Sequence, residues 1–119
     1  MTGRRILVVE DDVLIGMYLA EMLTAMGYDV CSVEATEADA VAAAAQYKPD
    51  LMIVDARLSD GSGIAAVDRI LRAGFVPHVF VSGDVLDIRI SRPSAVVMQK
   101  PYTGQDLTRA IQRALDVVA

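Results

Sequence analysis

The 119-residue chain contains no tryptophan, a single cysteine and a single histidine. One cysteine cannot form an intrachain disulfide, which is typical of proteins from reducing compartments. Every apolar run is shorter than the ~18–20 residues of a membrane-spanning helix, and no secretory signal precedes the first predicted strand. The net charge of −5 lacks the basic surplus of a nucleic-acid-binding domain. We therefore expect a cytoplasmic protein that binds neither membranes nor nucleic acid.

Apolar residues make up 54% of the chain, and no repeat, linker or low-complexity segment interrupts them. This composition predicts one globular domain over residues 1–119. Short β-branched runs alternate with helical patterns, which predicts an α/β fold with a parallel sheet between two helical layers. The predicted strands are 5–9, 28–33, 51–55, 79–82 and 95–98. The predicted helices are 12–26, 36–47, 62–73, a short or irregular 84–90, and a last one from 103 that includes Val118. The flavodoxin-like strand order 2-1-3-4-5 fits this alternation.

Acidic residues follow two of these strands where each one ends. Glu10 and Asp11 come directly after the first strand, and Asp55 ends the third. In the predicted order these two strands are neighbours, and the crevice beyond their carboxyl ends is the usual ligand site. Crowded carboxylates repel one another, and a hard cation with oxygen ligands relieves that repulsion. The sequence therefore predicts a Mg²⁺ site at this edge.

Two further polar groups follow the fourth and fifth strands. Ser82 ends one of them, and Lys100 stands shortly after the other. A hydroxyl and an ammonium group beside a cation site are suited to binding a phosphoryl group.

Glu10-Asp11, Asp55, Ser82 and Lys100-Pro101, each after its own strand, resemble the receiver domain of two-component response regulators. The resemblance covers the whole chain. It implies that Asp55 accepts a phosphoryl group from a sensor histidine kinase or a histidine phosphotransfer protein. It also implies that the domain catalyses only its own phosphorylation and dephosphorylation.

The same resemblance implies roles for the surrounding residues. Asp11 and Asp55 would hold Mg²⁺, with Glu10 acting mainly through a bound water and the Arg57 carbonyl as a further ligand. Ser82 and Lys100 would contact the phosphoryl group. A cis peptide bond would join Lys100 to Pro101, and Gly63 would close the loop after the third strand.

Two positions depart from the family pattern. Ser59 stands where the family usually has proline, and Val97 stands at the position of the usual switch aromatic. Val97, together with Gly83 after Ser82, makes the chain similar to a receiver subgroup that has Phe-Ala-Thr-Gly-Tyr after strand four. Arg57 and Asp84 should overhang the site, and we hypothesise that they pair and tune the access of water.

We expect a stand-alone receiver domain that acts as a phosphorelay intermediate, a phosphate sink or a switch for a downstream protein. One alternative is a dinucleotide-binding protein, since Gly61-x-Gly63 begins a G-x-G-x-x-A pattern. Another is a receiver-like module that binds partners without phosphorylation. A phosphatase with an aspartyl-phosphate intermediate would need an acid at position 57, where this chain has arginine.

The first predicted helix carries more apolar residues than one core-facing stripe needs. We interpret it as a helix wedged between the sheet and a neighbouring element, the alternative being a partly exposed, methionine-rich docking face. His78, at the opposite end of its strand from the crevice, and Cys31, interpreted as a buried apolar residue, lie outside the predicted site.

Overall fold

The computed structural model describes residues 3–116, in which five strands alternate with five helices. The strands are β1 (Arg5–Val9), β2 (Asp29–Glu34), β3 (Leu51–Asp55), β4 (His78–Ser82) and β5 (Val96–Gln99). The helices are α1 (Val13–Ala25), α2 (Glu37–Tyr47), α3 (Gly63–Leu71), α4 (Val85–Ser91) and α5 (Gly104–Asp116). All strand pairs are parallel, in the order β2-β1-β3-β4-β5. The predicted flavodoxin-like fold is thereby confirmed, while Val118 lies outside the described residues.

The core has two layers because successive strand residues point to opposite faces of the sheet. On β1, Ile6 and Val8 pack under α1 and α5, whereas Leu7 and Val9 pack under α2 and α3. β3 is buried along its whole length, as a strand covered on both faces should be. Each fully buried aliphatic side chain contributes roughly 1.5–3 kcal/mol. This double burial fixes the register that brings the strand ends to one edge.

Helix caps set most of the boundaries. Asp12 caps α1 by accepting hydrogen bonds from the amides of Leu14 and Ile15, at 3.0 and 3.1 Å. Thr36 caps α2 in the same way through the amide of Asp39. Helix α3 ends at Leu71, two residues before the predicted end. α4 has only seven residues, which confirms the predicted shortening, and Asp84 at its N-cap makes no side-chain capping bond.

Within residues 3–116, no second element covers the outer face of helix α1, so the interpretation as a helix wedged between the sheet and a neighbour is wrong. Only a narrow stripe that includes Gly16, Leu19 and Leu23 is buried against the sheet. The other apolar side chains face outward, with the following exposed fractions: Val13 72%, Leu14 76%, Met17 56% and Tyr18 66%. The alternative of a partly exposed apolar face is therefore correct, although Met17 and Met26 are its only exposed methionines within residues 3–116.

The two lone residues set aside from the site do lie away from it. His78 starts β4 at the amino edge, where its Nδ1 lies 2.8 Å from the Val76 carbonyl oxygen and its ring packs edge-on against Phe80. Cys31 is half-buried in β2, less than predicted, with Sγ 3.4 Å from the Ile6 carbonyl oxygen. Among residues 3–116, no helix has both the length and the apolar character to cross a membrane.

Candidate functional site

Asp55 is the centre of the carboxyl edge of the sheet. Its side chain is almost fully buried, although it ends a strand at the rim. Lys100 Nζ donates a hydrogen bond of 2.6 Å to Oδ2, and the Arg57 amide donates one of 3.2 Å to Oδ1. The Lys100 amide is in turn bonded to the Ser82 carbonyl oxygen at 2.9 Å, which ties the end of β5 to that of β4. The lysine is therefore held directly against the buried carboxylate.

Three acids meet at this edge, as the strand order predicted. Glu10, Asp11 and Asp55 each offer a carboxylate oxygen, and these oxygens all lie within 4.8 Å of one another. Burial above all, together with the neighbouring Asp11 and Asp55 carboxylates, raises the pKa of Glu10 from 4.5 to about 7, against a lowering by the hydrogen bond from the Asp12 amide. Mg²⁺ prefers oxygen ligands, and its positive charge relieves the repulsion between crowded carboxylates. The residues present therefore fit this cation.

Lys100 balances part of this negative charge. Its Nζ lies 3.9 Å from Glu10 Oε1, in addition to the close contact with Asp55. Partial burial lowers the pKa of Lys100, but the hydrogen bond to Asp55 and the charges of Asp55 and Glu10 outweigh it, so that the net shift is upward. The site thus places a firmly protonated ammonium group where an anion would be held.

Asp11 is held from the opposite side of the crevice. The amide and the hydroxyl of Ser59 both donate to Asp11 Oδ2, at 2.7 and 2.5 Å. The hydroxyl bond is the main reason that the pKa of Asp11 is lowered. These two bonds join the loop after β1 to the loop after β3.

Ser82 is buried, but its hydroxyl is turned toward the segment that follows β4. Its Oγ donates to the Asp84 carbonyl oxygen at 3.0 Å and accepts from the Asp84 amide at 2.9 Å. In the described part of the chain, no hydrogen bond joins Ser82 to Asp55. The hydroxyl would have to change partners to contact a group bound on Asp55.

The remaining predicted positions fall near the site. The Lys100–Pro101 peptide bond is cis, the geometry that the resemblance implied. Val97 is buried in the core layer that contains Phe80 and Ile88, so a core side chain occupies the switch position. A Cβ atom added at Gly63 would lie 1.9 Å from the Asp55 carbonyl oxygen, which explains the glycine at the start of α3.

The predicted pair of Arg57 and Asp84 is not formed in the structure. Both residues are exposed, and the ion pairs within residues 3–116 join other partners. Arg57 instead forms an isolated backbone bridge with Ser62.

Glu37, at the start of α2, was not predicted as a site residue. Its Oε1 accepts the Ser62 amide at 2.9 Å, and its Oε2 lies 3.1 Å from Arg69 Nη1. The Ser62 amide is thus already bonded to a carboxylate, whereas in the Gly61-x-Gly63 alternative it would have to bind the pyrophosphate of a dinucleotide. No sequence signal could have found Glu37, because it has the spacing of a helix-capping residue and its partners lie 25 and 32 positions away. The Ser59 contact could have been suspected, since Ser59 follows the strand that pairs with β1.

The fold and the site together define a class: a doubly wound α/β domain with an acid triad, a hydroxyl and a lysine at the switch point of its sheet. A sequence model described as "Response regulator receiver domain" matches residues 6–112. The chain belongs to this family, the receiver domains of two-component signalling. Family membership does not support the dinucleotide-binding alternative.

Relatives of known name agree with this assignment. The chain is 34% identical over 116 residues to the transcriptional regulatory protein PdtaR of Mycobacterium tuberculosis, covering 94% of this chain and 57% of that protein. It is 33% identical over 114 residues to the phyllosphere-induced regulator PhyR of Methylorubrum extorquens, covering 92% and 43%. The chain thus spans about half the length of these relatives.

Solved structures show the same fold. The receiver domain of PhyR from Erythrobacter litoralis superposes with a TM-score of 0.85 at 29% identity, covering 98% of this chain and 92% of that one. PhyR from Brucella abortus gives a TM-score of 0.89 at 27% identity, covering 98% of this chain and 49% of that one.

Proposed function

We propose that Asp55 accepts a phosphoryl group from the phosphohistidine of a sensor kinase or a histidine phosphotransfer protein. The observation that carries this proposal is the buried Asp55 carboxylate, bonded to Lys100 at 2.6 Å and flanked by Glu10 and Asp11. A strand-end aspartate with a merely structural role has no need of two further acids and a lysine. Family membership supports the same chemistry.

The transfer is a displacement at phosphorus. A bond forms between an Asp55 oxygen and phosphorus while the bond from phosphorus to the imidazole nitrogen breaks, and its electron pair returns to the ring. Lys100 neutralises negative charge on the transferred group, and its contact with Asp55 positions the acceptor. Ser82 exchanges its bond to Asp84 for one to the phosphoryl oxygens.

Mg²⁺ would be held by Asp11 and Asp55, with Glu10 acting mainly through a bound water and the Arg57 carbonyl as a further ligand. When bound, the cation offsets the charge of the acids and of the phosphoryl group.

The donor docks on the exposed apolar face of α1 and the loop at Lys100, in this proposal. An apolar, methionine-bearing face beside the acceptor suits a helical partner with an apolar surface of its own. The downstream protein would bind the face formed by α4, β5 and α5. The roles as relay, sink or switch, the cytoplasmic location and the stand-alone arrangement stay predictions. PhyR from Bartonella quintana is described as an anti-anti-sigma factor, and an anti-sigma factor is accordingly one candidate for the downstream partner.

Transfer of radiolabel from a phosphorylated histidine kinase tests the proposal. Asp55→Asn should abolish labelling, because the amide is a poor nucleophile, and EDTA should suppress labelling of the unmodified chain. Asp29→Asn is the matched control, since Asp29 is exposed at the amino edge and should leave labelling unchanged. Labelling of Asp55→Asn would contradict the proposal and favour another acceptor. An unlabelled but partner-binding chain would instead favour the phosphorylation-independent module.

A further inference from the structure

We propose that Ser59 is a positioning residue for the Mg²⁺ site, which fixes the Asp11 carboxylate so that one of its oxygens is presented to the cation. This inference rests on the proposed function, since it concerns the cation which that function requires. It goes beyond the family pattern, in which this position is usually proline.

The geometry of the contact carries the inference. Two donors from one residue converge on a single oxygen, Asp11 Oδ2, at 2.7 Å from the Ser59 amide and 2.5 Å from its hydroxyl. Neither Ser59 donor is directed at the other oxygen, Oδ1. One oxygen of Asp11 is thus anchored to the opposite loop, while an oxygen of the same carboxylate lies within 4.8 Å of those of Glu10 and Asp55. A carboxylate anchored at one oxygen loses little further freedom when the other binds a cation.

The chemistry of the donors points the same way. Both Ser59 bonds bring polar hydrogens against the Asp11 carboxylate, which offsets part of the repulsion from the two neighbouring acids. Hydrogen bonds to ligating carboxylates orient them, and such outer partners commonly matter for metal affinity. A proline at position 59 has neither an amide hydrogen nor a hydroxyl, so it could make neither bond.

The test is a titration with Mg²⁺ in the absence of a phosphoryl donor. Binding is measured by isothermal titration calorimetry or from amide chemical shifts. Ser59→Ala removes the hydroxyl bond and keeps the amide, so the Kd for Mg²⁺ should rise about tenfold. Ser59→Pro removes both donors and should raise the Kd further. Ser59→Thr restores a hydroxyl and should return the Kd to within about twofold of the original value.

Two controls separate positioning from general damage. Ser94→Ala changes an exposed serine in the turn before β5 and should not alter the Kd. Thermal unfolding of Ser59→Ala in EDTA should stay within about 3 °C of the unmodified chain, because Ser59 is exposed. A loss of affinity that Ser59→Thr restores cannot come from general destabilisation.

The outcomes distinguish this inference from the proposed function. If the unmodified chain binds Mg²⁺ and takes up phosphoryl label, but Ser59→Ala binds Mg²⁺ equally or more tightly, the Ser59 inference is wrong and the proposed function stands. If the unmodified chain binds no Mg²⁺, both fail. A raised Kd in Ser59→Ala, restored in Ser59→Thr, supports the inference.

Discussion

Two segments border Asp55 at the same edge of the sheet, and they are held very differently. The β3–α3 loop (residues 56–62) is bonded on both sides. Ser59 joins it to Asp11, and Glu37 receives the Ser62 amide while its own amide donates to the Asp60 carbonyl oxygen at 3.2 Å. The loop is therefore fixed both to the loop after β1 and to α2.

The β4–α4 turn (residues 83–84) has far fewer attachments. Its polar contacts with the site are the two bonds between the Ser82 hydroxyl and the backbone of Asp84. The helix that follows buries only Ile88, while Leu86 and Ile90 are 65% and 70% exposed. A turn with few buried contacts opens more readily than a bonded loop.

This difference indicates which segment responds when a phosphoryl group is bound. In the proposed function, the β3–α3 loop would keep the acceptor Asp55 and the cation ligand Asp11 in place. If Ser82 turns toward the phosphoryl group, Asp84 loses both bonds and the start of α4 is released. Under the proposed function, this connection would link phosphorylation to α4 without an aromatic side chain at position 97.

The largest contrast should come from two glycines: Gly63, the first residue of α3 directly after the fixed loop, and Gly83 in the free turn. In Gly63→Ala the new Cβ would meet the Asp55 carbonyl oxygen at 1.9 Å, so α3 must move away from β3. We expect a loss of at least about 3 kcal/mol in the free energy of unfolding, measured in urea.

Gly83→Ala is the matched control, since nothing lies within 4 Å of its added Cβ. It should be neutral or stabilise the domain by up to about 1 kcal/mol through the unfolded state. Equal effects of the two substitutions would contradict the contrast between a fixed loop and a free turn.

The acids beside the fixed loop should make stability depend on pH. Because burial raises the folded-state pKa of Glu10 from 4.5 to about 7, the folded state binds this proton more tightly than the unfolded chain. The contribution of protonated Glu10 to the free energy of unfolding is fully present below about pH 4.5 and is lost as the pH rises through about 7. In EDTA, Glu10→Gln should therefore be more stable than the unmodified chain above pH 7, by roughly 1–3 kcal/mol.

Mg²⁺ supplies the control for this prediction. Added cation should stabilise the unmodified chain at pH 8 more than it stabilises Glu10→Gln. If the free energy of unfolding in EDTA does not change between pH 4.5 and 7, ionisation of Glu10 does not destabilise the folded domain and the prediction is wrong.

Much of this architecture could be predicted, because it rests on local patterns. The buried runs ending in Asp55 and Ser82 follow from strand periodicity, and the convergence of Glu10, Asp11 and Asp55 follows from strand order alone. The short α4 could be predicted from the few residues between Ser82 and Lys100.

What could not be predicted depends on distant contacts or on surface exposure. The apolar residues of α1 exceed one stripe, but periodicity cannot tell whether the surplus faces solvent or another element. Glu37 has the sequence signature of a helix start, whereas its side chain bonds to a loop 25 residues away. The direction of the Ser82 hydroxyl is a rotamer choice that the chain order does not encode.

Loss of the Glu37 anchor should loosen the fixed loop. In Glu37→Ala the Ser62 amide loses its carboxylate acceptor, so its hydrogen exchange should become about tenfold faster. Asp84→Ala is the matched control at the free turn, because Asp84 makes no side-chain capping bond and exchange at the start of α4 should change by less than about twofold. Hydrogen exchange monitored by nuclear magnetic resonance measures the rates at Ser62 and at the start of α4. Unchanged exchange at Ser62 in Glu37→Ala would show that other bonds suffice to hold the loop.

The smallest effect concerns one charged residue on each of the two segments. Arg57 lies on the fixed loop and Asp84 on the free turn, both exposed and unpaired with each other in the structure. Exposed pairs contribute only ~0–1 kcal/mol, so Arg57→Ala should leave the free energy of unfolding nearly unchanged. If the pair forms over the phosphorylated site, Arg57→Ala should change the autodephosphorylation rate by about two- to threefold, and adding Asp84→Ala should have no further effect. If the two substitutions change the autodephosphorylation rate independently, Arg57 and Asp84 do not form a pair that controls the access of water to the site.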